Sequence, residues 1–188
     1  MNQARSTAVR MILQTLHPDA QSDGTAETPD RVSKMWDELT KGYEMDPQAI
    51  LSKTFEVNAG GDPNANGIVV VKDIPFYSCC EHHMVPFFGK VSIAYIPKNR
   101  VVGLSKFARL VECYARRLQV QERLTRQIID DITKYLDPLG AMVVVTAEHM
   151  CMTMRGVQKP GSKTTTSRVS GVFFNDSKAR TEALELMK

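Results

Sequence analysis

Apolar residues Val9, Ile12, Leu13 and Leu16 recur at helical spacing, and His17-Pro18 interrupts them before a polar loop through Ala26. A second helix is predicted next. Thr28 offers an N-cap with Pro29 at the first helical position, and Val32, Met35, Trp36 and Leu39 form one apolar stripe before Gly42. The Gly-, Asn- and Asp-rich run from Val57 to Gly67 predicts a loop. The boundary is therefore placed there, between a helical N-terminal region over 1–60 and a second region over 61–188.

Beyond that loop the period changes. Ile68 to Val71 and Lys90 to Ile96 are rich in β-branched residues, the latter alternating, and predict strands. Leu104, Phe107, Val111, Tyr114 and Leu118 make one helical stripe. Val120, Leu124, Ile128, Ile132 and Leu136 make another, ended by Asp137-Pro138. Ala141 to Cys151 and Ser167 to Phe174 read as strands, with a short helix from Ser177. Two strands, two helices and two strands predict an α+β fold, an antiparallel sheet covered on one face by a helix pair.

Composition narrows the function. The net charge of +3 over 188 residues has no basic run behind it, which argues against a protein held electrostatically on nucleic acid or anionic membrane. No apolar stretch approaches the ~20 residues of a membrane span, so the expectation is a soluble, cytoplasmic chain. Cysteines at 79, 80, 113 and 151, two of them adjacent, do not resemble a secreted disulfide framework.

Three of the four histidines and three of the four cysteines fall in Cys79-Cys80-Glu81-His82-His83 and His149-Met150-Cys151. Zinc favours thiolate and imidazole, and a C-x-x-H step lets one turn present two ligands while a distant segment supplies a third. If His149 and Cys151 lie on a strand, they share a face. Three protein ligands leave a position for water, the arrangement of a catalytic zinc. Spacing leaves two registers open, Cys79 with His82 and Cys80 with His83. The competing reading is that these cysteines are buried small hydrophobes. Cys113 has no histidine nearby and is assigned to packing.

Lys106 and Arg109 lie three apart on a helix, with Arg116 further along, and Arg155 follows Cys151 closely; together they suit phosphate oxygens. A solvated helix face is the plainer alternative. Glu122 falls in the first turn of the following helix, where a favourable interaction with the helix dipole suffices to explain it. Neither a phosphate-binding loop nor G-x-G-x-x-G is present, so any nucleotide is held some other way.

With these residues in view, the chain from about Thr25 onward resembles the GTP cyclohydrolase I family. The motifs are Cys-Glu-His-His at 80–83, Gly-Leu-Ser-Lys at 103–106, Gln-Val-Gln-Glu-Arg-Leu-Thr at 119–125 and His-Met-Cys at 149–151. The resemblance implies the tunnelling fold (T-fold), a four-stranded antiparallel sheet backed by two helices, assembled as a homodecamer with sites at subunit interfaces. It implies Cys80, His83 and Cys151 as zinc ligands, leaving Cys79 outside. It assigns His82 and His149 to proton transfer and Gln121 and Glu122 to guanine. Ser105, Lys106, Arg109 and Arg155 bind substrate, the last three at the triphosphate, and Arg31 in Thr-Pro-Asp-Arg-Val matches a further triphosphate arginine.

The implied reaction converts GTP and water to dihydroneopterin triphosphate and formate, toward folate or other pterins. Zinc would lower the pKa of its water, which adds to C8 while a histidine protonates N7. Two rivals stand beside it. A nitrile reductase of the same fold would use a covalent cysteine and a nicotinamide cofactor, but zinc would occupy that thiolate. A structural zinc module would need a fourth protein ligand, and Cys79 is the only further cysteine close in sequence.

Overall fold

The computed structural model describes residues 2–16, 18–56 and 67–188. The chain divides into two compact units, Met1–Lys41 and Gly42–Lys188. The boundary predicted at 60/61 lies outside the described residues. In the first unit, α1 (Gln3–Leu16) and α2 (Thr28–Leu39) are joined by Arg5, which donates to the Ser33 carbonyl at 2.7 Å and to Asp37 Oδ1 at 2.8 Å. The cap of α2 is Glu27 rather than Thr28. Pro29 lies in the first turn, where its missing N–H leaves no hydrogen bond unmade.

The second unit is built on an open five-stranded sheet, ordered β5-β2-β3-β6-β7. Its long strands are β2 (Val69–Cys80), β3 (Pro86–Ile96), β6 (Gly140–His149) and β7 (Lys163–Gly171), all antiparallel. The two-residue β5 (Leu118–Gln119) adds a parallel edge to β2. A separate pair joins β1 (Thr54–Glu56) to β4 (Arg100–Val102), and a short helix, α3 (Pro47–Leu51), precedes it.

The helices α4 (Ser105–Ala115) and α5 (Gln121–Leu136) cover one face of the sheet. Phe76, Phe87, Val91, Ile93, Tyr95, Phe107, Leu124 and Ile128 close the core between them. The second face is not bare: Ala94 and Met142 pack against Phe173 and Ala183, from α7 (Val172–Asn175) and α8 (Ser177–Met187).

Several elements depart from the predicted pattern for identifiable reasons. A bulge between Val71 and Ile74, with Asp73 at φ 59°, moves the core-facing set from odd to even positions, so β2 runs on to Cys80 although the alternation breaks at Val71. Leu118, counted on a helical stripe, belongs to β5, because α4 ends at Ala115. The strand predicted to Cys151 stops at His149. Cys151 sits in the helical turn α6 (Met150–Thr153), so the two residues do not share a strand face. The strand predicted over Ser167 to Phe174 is shifted toward the N-terminus and ends at Gly171, whose φ of 57° turns the chain into α7; a Cβ there would lie 2.1 Å from the Leu139 carbonyl oxygen. Gly89 has a different role. It lets β3 approach β6, since a Cβ would meet the Thr146 oxygen at 2.0 Å.

Candidate metal centre and active site

Cys80 ends β2, and residues 81–84 turn the chain into β3. The Cys80 carbonyl accepts from His83 N at 3.3 Å and Met84 N at 2.7 Å, while Met84 takes the left-handed conformation that closes the turn. His83 Nδ1 is thereby brought 3.8 Å from Cys80 Sγ. Because β3 lies between β2 and β6, the end of β6 returns to the same edge, with His149 opposite Phe87. The next turn delivers Cys151. The donor atoms of Cys80, His83 and Cys151 all lie within 4.8 Å of one another, the only such group among the described residues.

That geometry separates the two registers that spacing leaves equal. Cys79 is buried and belongs to no such group, and burial pushes its thiol pKa up. Cys151 is likewise pushed up, by burial first and then by the neighbouring Cys80. A cation at this group would oppose that effect on Cys151 by favouring its thiolate. Cys113 lies apart from them. Its thiol is buried against the Gly42 and Met45 carbonyls and receives a hydrogen bond from Arg117 at 3.3 Å, as a packing residue would.

His149 is held from two sides. Its ring stacks on Phe87 with centroids 4.7 Å apart and planes 1° from parallel, and its Nε2 lies 2.8 Å from Gln121 Oε1. Burial lowers its pKa, and the charge of Glu122 partly opposes this. Gln121 is buried at the start of α5, and its amide nitrogen is committed to the chain's own Val145, Thr164 and Thr166. Glu122, exposed beside it, is the open carboxylate; with Thr125, Thr166, Ser167 and Arg168 it lines a hollow of about 240 Å³. That is less than the ~300–1,000 Å³ of a site enclosing a drug-sized ligand.

One pair was not legible in the sequence. Arg123 grips Glu81 through both guanidinium nitrogens, at 2.5 and 2.8 Å, tying the Cys-Glu-His-His turn to α5. The Arg123 guanidinium holds the Glu81 carboxyl below its usual range. His82, on the same turn, is exposed with Nε2 3.9 Å from Glu81. A roomier hollow of about 580 Å³ lies over the other sheet face between α8 and Lys90, away from this donor set.

Of the predicted substrate-binding residues, Arg155 is near enough for its charge to act on Cys151. Ser105 and Arg109 are exposed on the first turns of α4, Lys106 is half-buried, and Arg155 is exposed after α6. Arg116 is already paired with Glu112 at 2.9 Å, and Arg31, in the first unit, pairs with Glu27 at 2.7 Å.

Comparison with known proteins decides what this arrangement belongs to. The family model for GTP cyclohydrolase I matches residues 5–188. This chain belongs to the GTP cyclohydrolase I family. The match reaches about twenty residues further toward the N-terminus than the resemblance drawn from about Thr25 onward, taking in most of α1. A GTP cyclohydrolase 1 of Clostridium perfringens is 51% identical over 179 residues, 95% of this chain and 94% of that one. The GTP cyclohydrolase 1 of Geobacillus kaustophilus is 53% identical over 182 residues, covering 96% and 94%, and that of Brevibacillus brevis is 52% identical over the same length. A solved structure of an archaeosine synthase QueF-Like in the apo form aligns over 57% of this chain and 97% of its own, with TM-score 0.48 and 20% identity. Family membership assigns the chain the tunnelling fold and makes it an enzyme, GTP cyclohydrolase I. Among the described residues, no helix is long and apolar enough to cross a membrane.

Proposed function

We propose that this GTP cyclohydrolase I holds zinc at Cys80, His83 and Cys151 and opens the imidazole ring of GTP with water, giving 7,8-dihydroneopterin triphosphate and formate in the cytoplasm. The convergence of these three side chains from two separate segments carries the reading. Zinc bonds of about 2.0–2.3 Å in a tetrahedron put neighbouring donors about 3.5 Å apart, close to the 3.8 Å between Cys80 Sγ and His83 Nδ1. No fourth Cys, His, Asp or Glu among the described residues joins the group, as an open catalytic position requires. A zinc ion held there would supply Lewis acidity and an activated water for ring opening.

The chain's own residues do the rest. His149 stands on Phe87 and Gln121 at the end of β6, positioned to carry a proton to and from the purine, and the exposed His82, on the turn between Cys80 and His83, serves the later proton transfers. Glu122 offers two adjacent acceptors to the N1–H and 2-amino donors of guanine, and Gln121 keeps the start of α5 in place beside it. Its charge already acts on His149, so base recognition and proton transfer share one electrostatic environment. Lys106, Arg109, Arg155 and Arg31 are assigned to the triphosphate and Ser105 to substrate binding.

The homodecamer with sites between subunits rests on family membership, and a sheet open at β5 and β7 leaves edges on which further copies can pair. Light scattering then returns about ten times the 21.0 kDa chain mass. Release of formate from GTP by the purified protein tests the activity; a protein that takes up zinc yet releases none would refute it.

A further inference from the structure

The hydrogen bonds around Gln121 decide which nitrogen of His149 does the work. Gln121 is 1% exposed. One end of its amide faces the Val145 and Thr164 carbonyl oxygens, each at 3.0 Å, and the Thr166 hydroxyl at 3.2 Å. Two carbonyl oxygens accept and cannot donate, so the atom facing them must be the NH2 group. The opposite atom, 2.8 Å from His149 Nε2, is therefore the amide oxygen. An amide oxygen only accepts, so Nε2 of His149 must carry a hydrogen. The Phe87 ring, parallel to the imidazole, blocks one side of it and keeps the ring plane in line with Gln121. Flipping the amide would set its oxygen against two carbonyl oxygens, and flipping the imidazole would abandon the bond, so each choice enforces the other.

We propose that Gln121 is a positioning residue that fixes neutral His149 as the Nε2–H tautomer, leaving the lone pair on Nδ1 as the atom through which protons pass to and from substrate. This rests on the assignment of His149 to proton transfer. A proton taken on Nδ1 gives an imidazolium whose Nε2–H stays on Gln121. Returning the proton from Nδ1 restores the starting ring, so nothing is consumed and Gln121 never exchanges a proton. The role differs from side-chain recognition of guanine, because both ends of the amide are engaged within the chain.

The test is nitrogen NMR of the zinc-loaded protein carrying 15N-labelled histidine, without GTP, with the His149 ring identified by its loss in His149→Ala. At a pH where the ring is neutral, Nε2 should be the protonated nitrogen and Nδ1 the bare one. A proton or a metal on Nδ1 would overturn the proposal, whether or not formate is released. In Gln121→Met the preference for Nε2–H should be lost. There kcat should fall about tenfold to a hundredfold, as for other partners that orient a functional imidazole, with KM for GTP within about threefold. An unchanged tautomer in that variant, or a raised KM with kcat intact, would return Gln121 to the base. The spectrum of the unaltered protein decides the tautomer even if the variant does not fold.

Discussion

The corner where β2 and β6 end and the exposed start of α4 are both assigned to one substrate, yet they are built on different principles. At the corner the Cys80 turn is held by its own backbone hydrogen bonds, Glu81 by Arg123, and His149 by Phe87 and Gln121. On α4, Ser105 and Arg109 face solvent, and neither Lys106 nor Arg109 has an ion pair among the described residues. A group that moves protons must be oriented before substrate arrives, whereas a cation that grips phosphate can be organised by the phosphate itself. In the proposed reaction preorganisation is concentrated where bonds change, and the folded single chain provides it there.

The sharpest way to break this contrast is through the ligands. Cys80→Ser and Cys151→Ser should each lose tightly held zinc and all measurable formate release, while Cys79→Ser keeps both; metal content by mass spectrometry reads the difference. Retained zinc in Cys80→Ser with loss in Cys79→Ser would reverse the register. Next in size is His149→Ala, which should keep its zinc and lose about 10²- to 10⁴-fold in kcat, the range for a proton-transfer group. A metal-free variant would make His149 a ligand instead.

Glu122→Gln replaces an acceptor with a donor facing a donor of guanine, and kcat/KM for GTP should drop about 30- to 800-fold. Inosine triphosphate, lacking the 2-amino group, should lose less. A GTP rate within about threefold of the parent would leave Glu122 as a helix-terminus charge only. The smallest effect belongs to Arg123→Ala, which frees the turn without touching a ligand. Because this pair is partly exposed, activity should fall by at most about tenfold, with faster loss of zinc to a chelator. A loss as large as that of Cys80→Ser would mean that the turn does not form without Arg123.

Much of this corner was legible as chemistry before it was legible as structure. Clustered thiols and imidazoles announce a metal through their types, but spacing leaves Cys79 with His82 and Cys80 with His83 equal; only the family resemblance picks Cys80 and His83, and Cys151 is placed on the wrong element. The error has a plain cause: Ala141 to Cys151 is apolar enough to continue a strand, and nothing local marks the turn after His149. Asp73 likewise hides the length of β2, because a bulge reverses the face on which alternation falls. Glu81 with Arg123 and Gln121 with His149 are 42 and 28 residues apart, and one charged or amide residue in isolation does not name its partner. Helical stripes such as Leu124, Ile128 and Ile132 were readable because their period is local, whereas long-range pairs exist only once the sheet has set its register.

The central claim is that Cys80, His83 and Cys151 hold the metal with which this chain opens the guanine ring. Its most direct test is to strip the purified protein of metal, add zinc back in steps, and measure formate released from GTP at each step. Formate release should be absent at the start, rise in proportion to zinc bound, and level off at one zinc per chain. Full formate release from the metal-free protein, or a plateau only beyond a second zinc, would contradict the account.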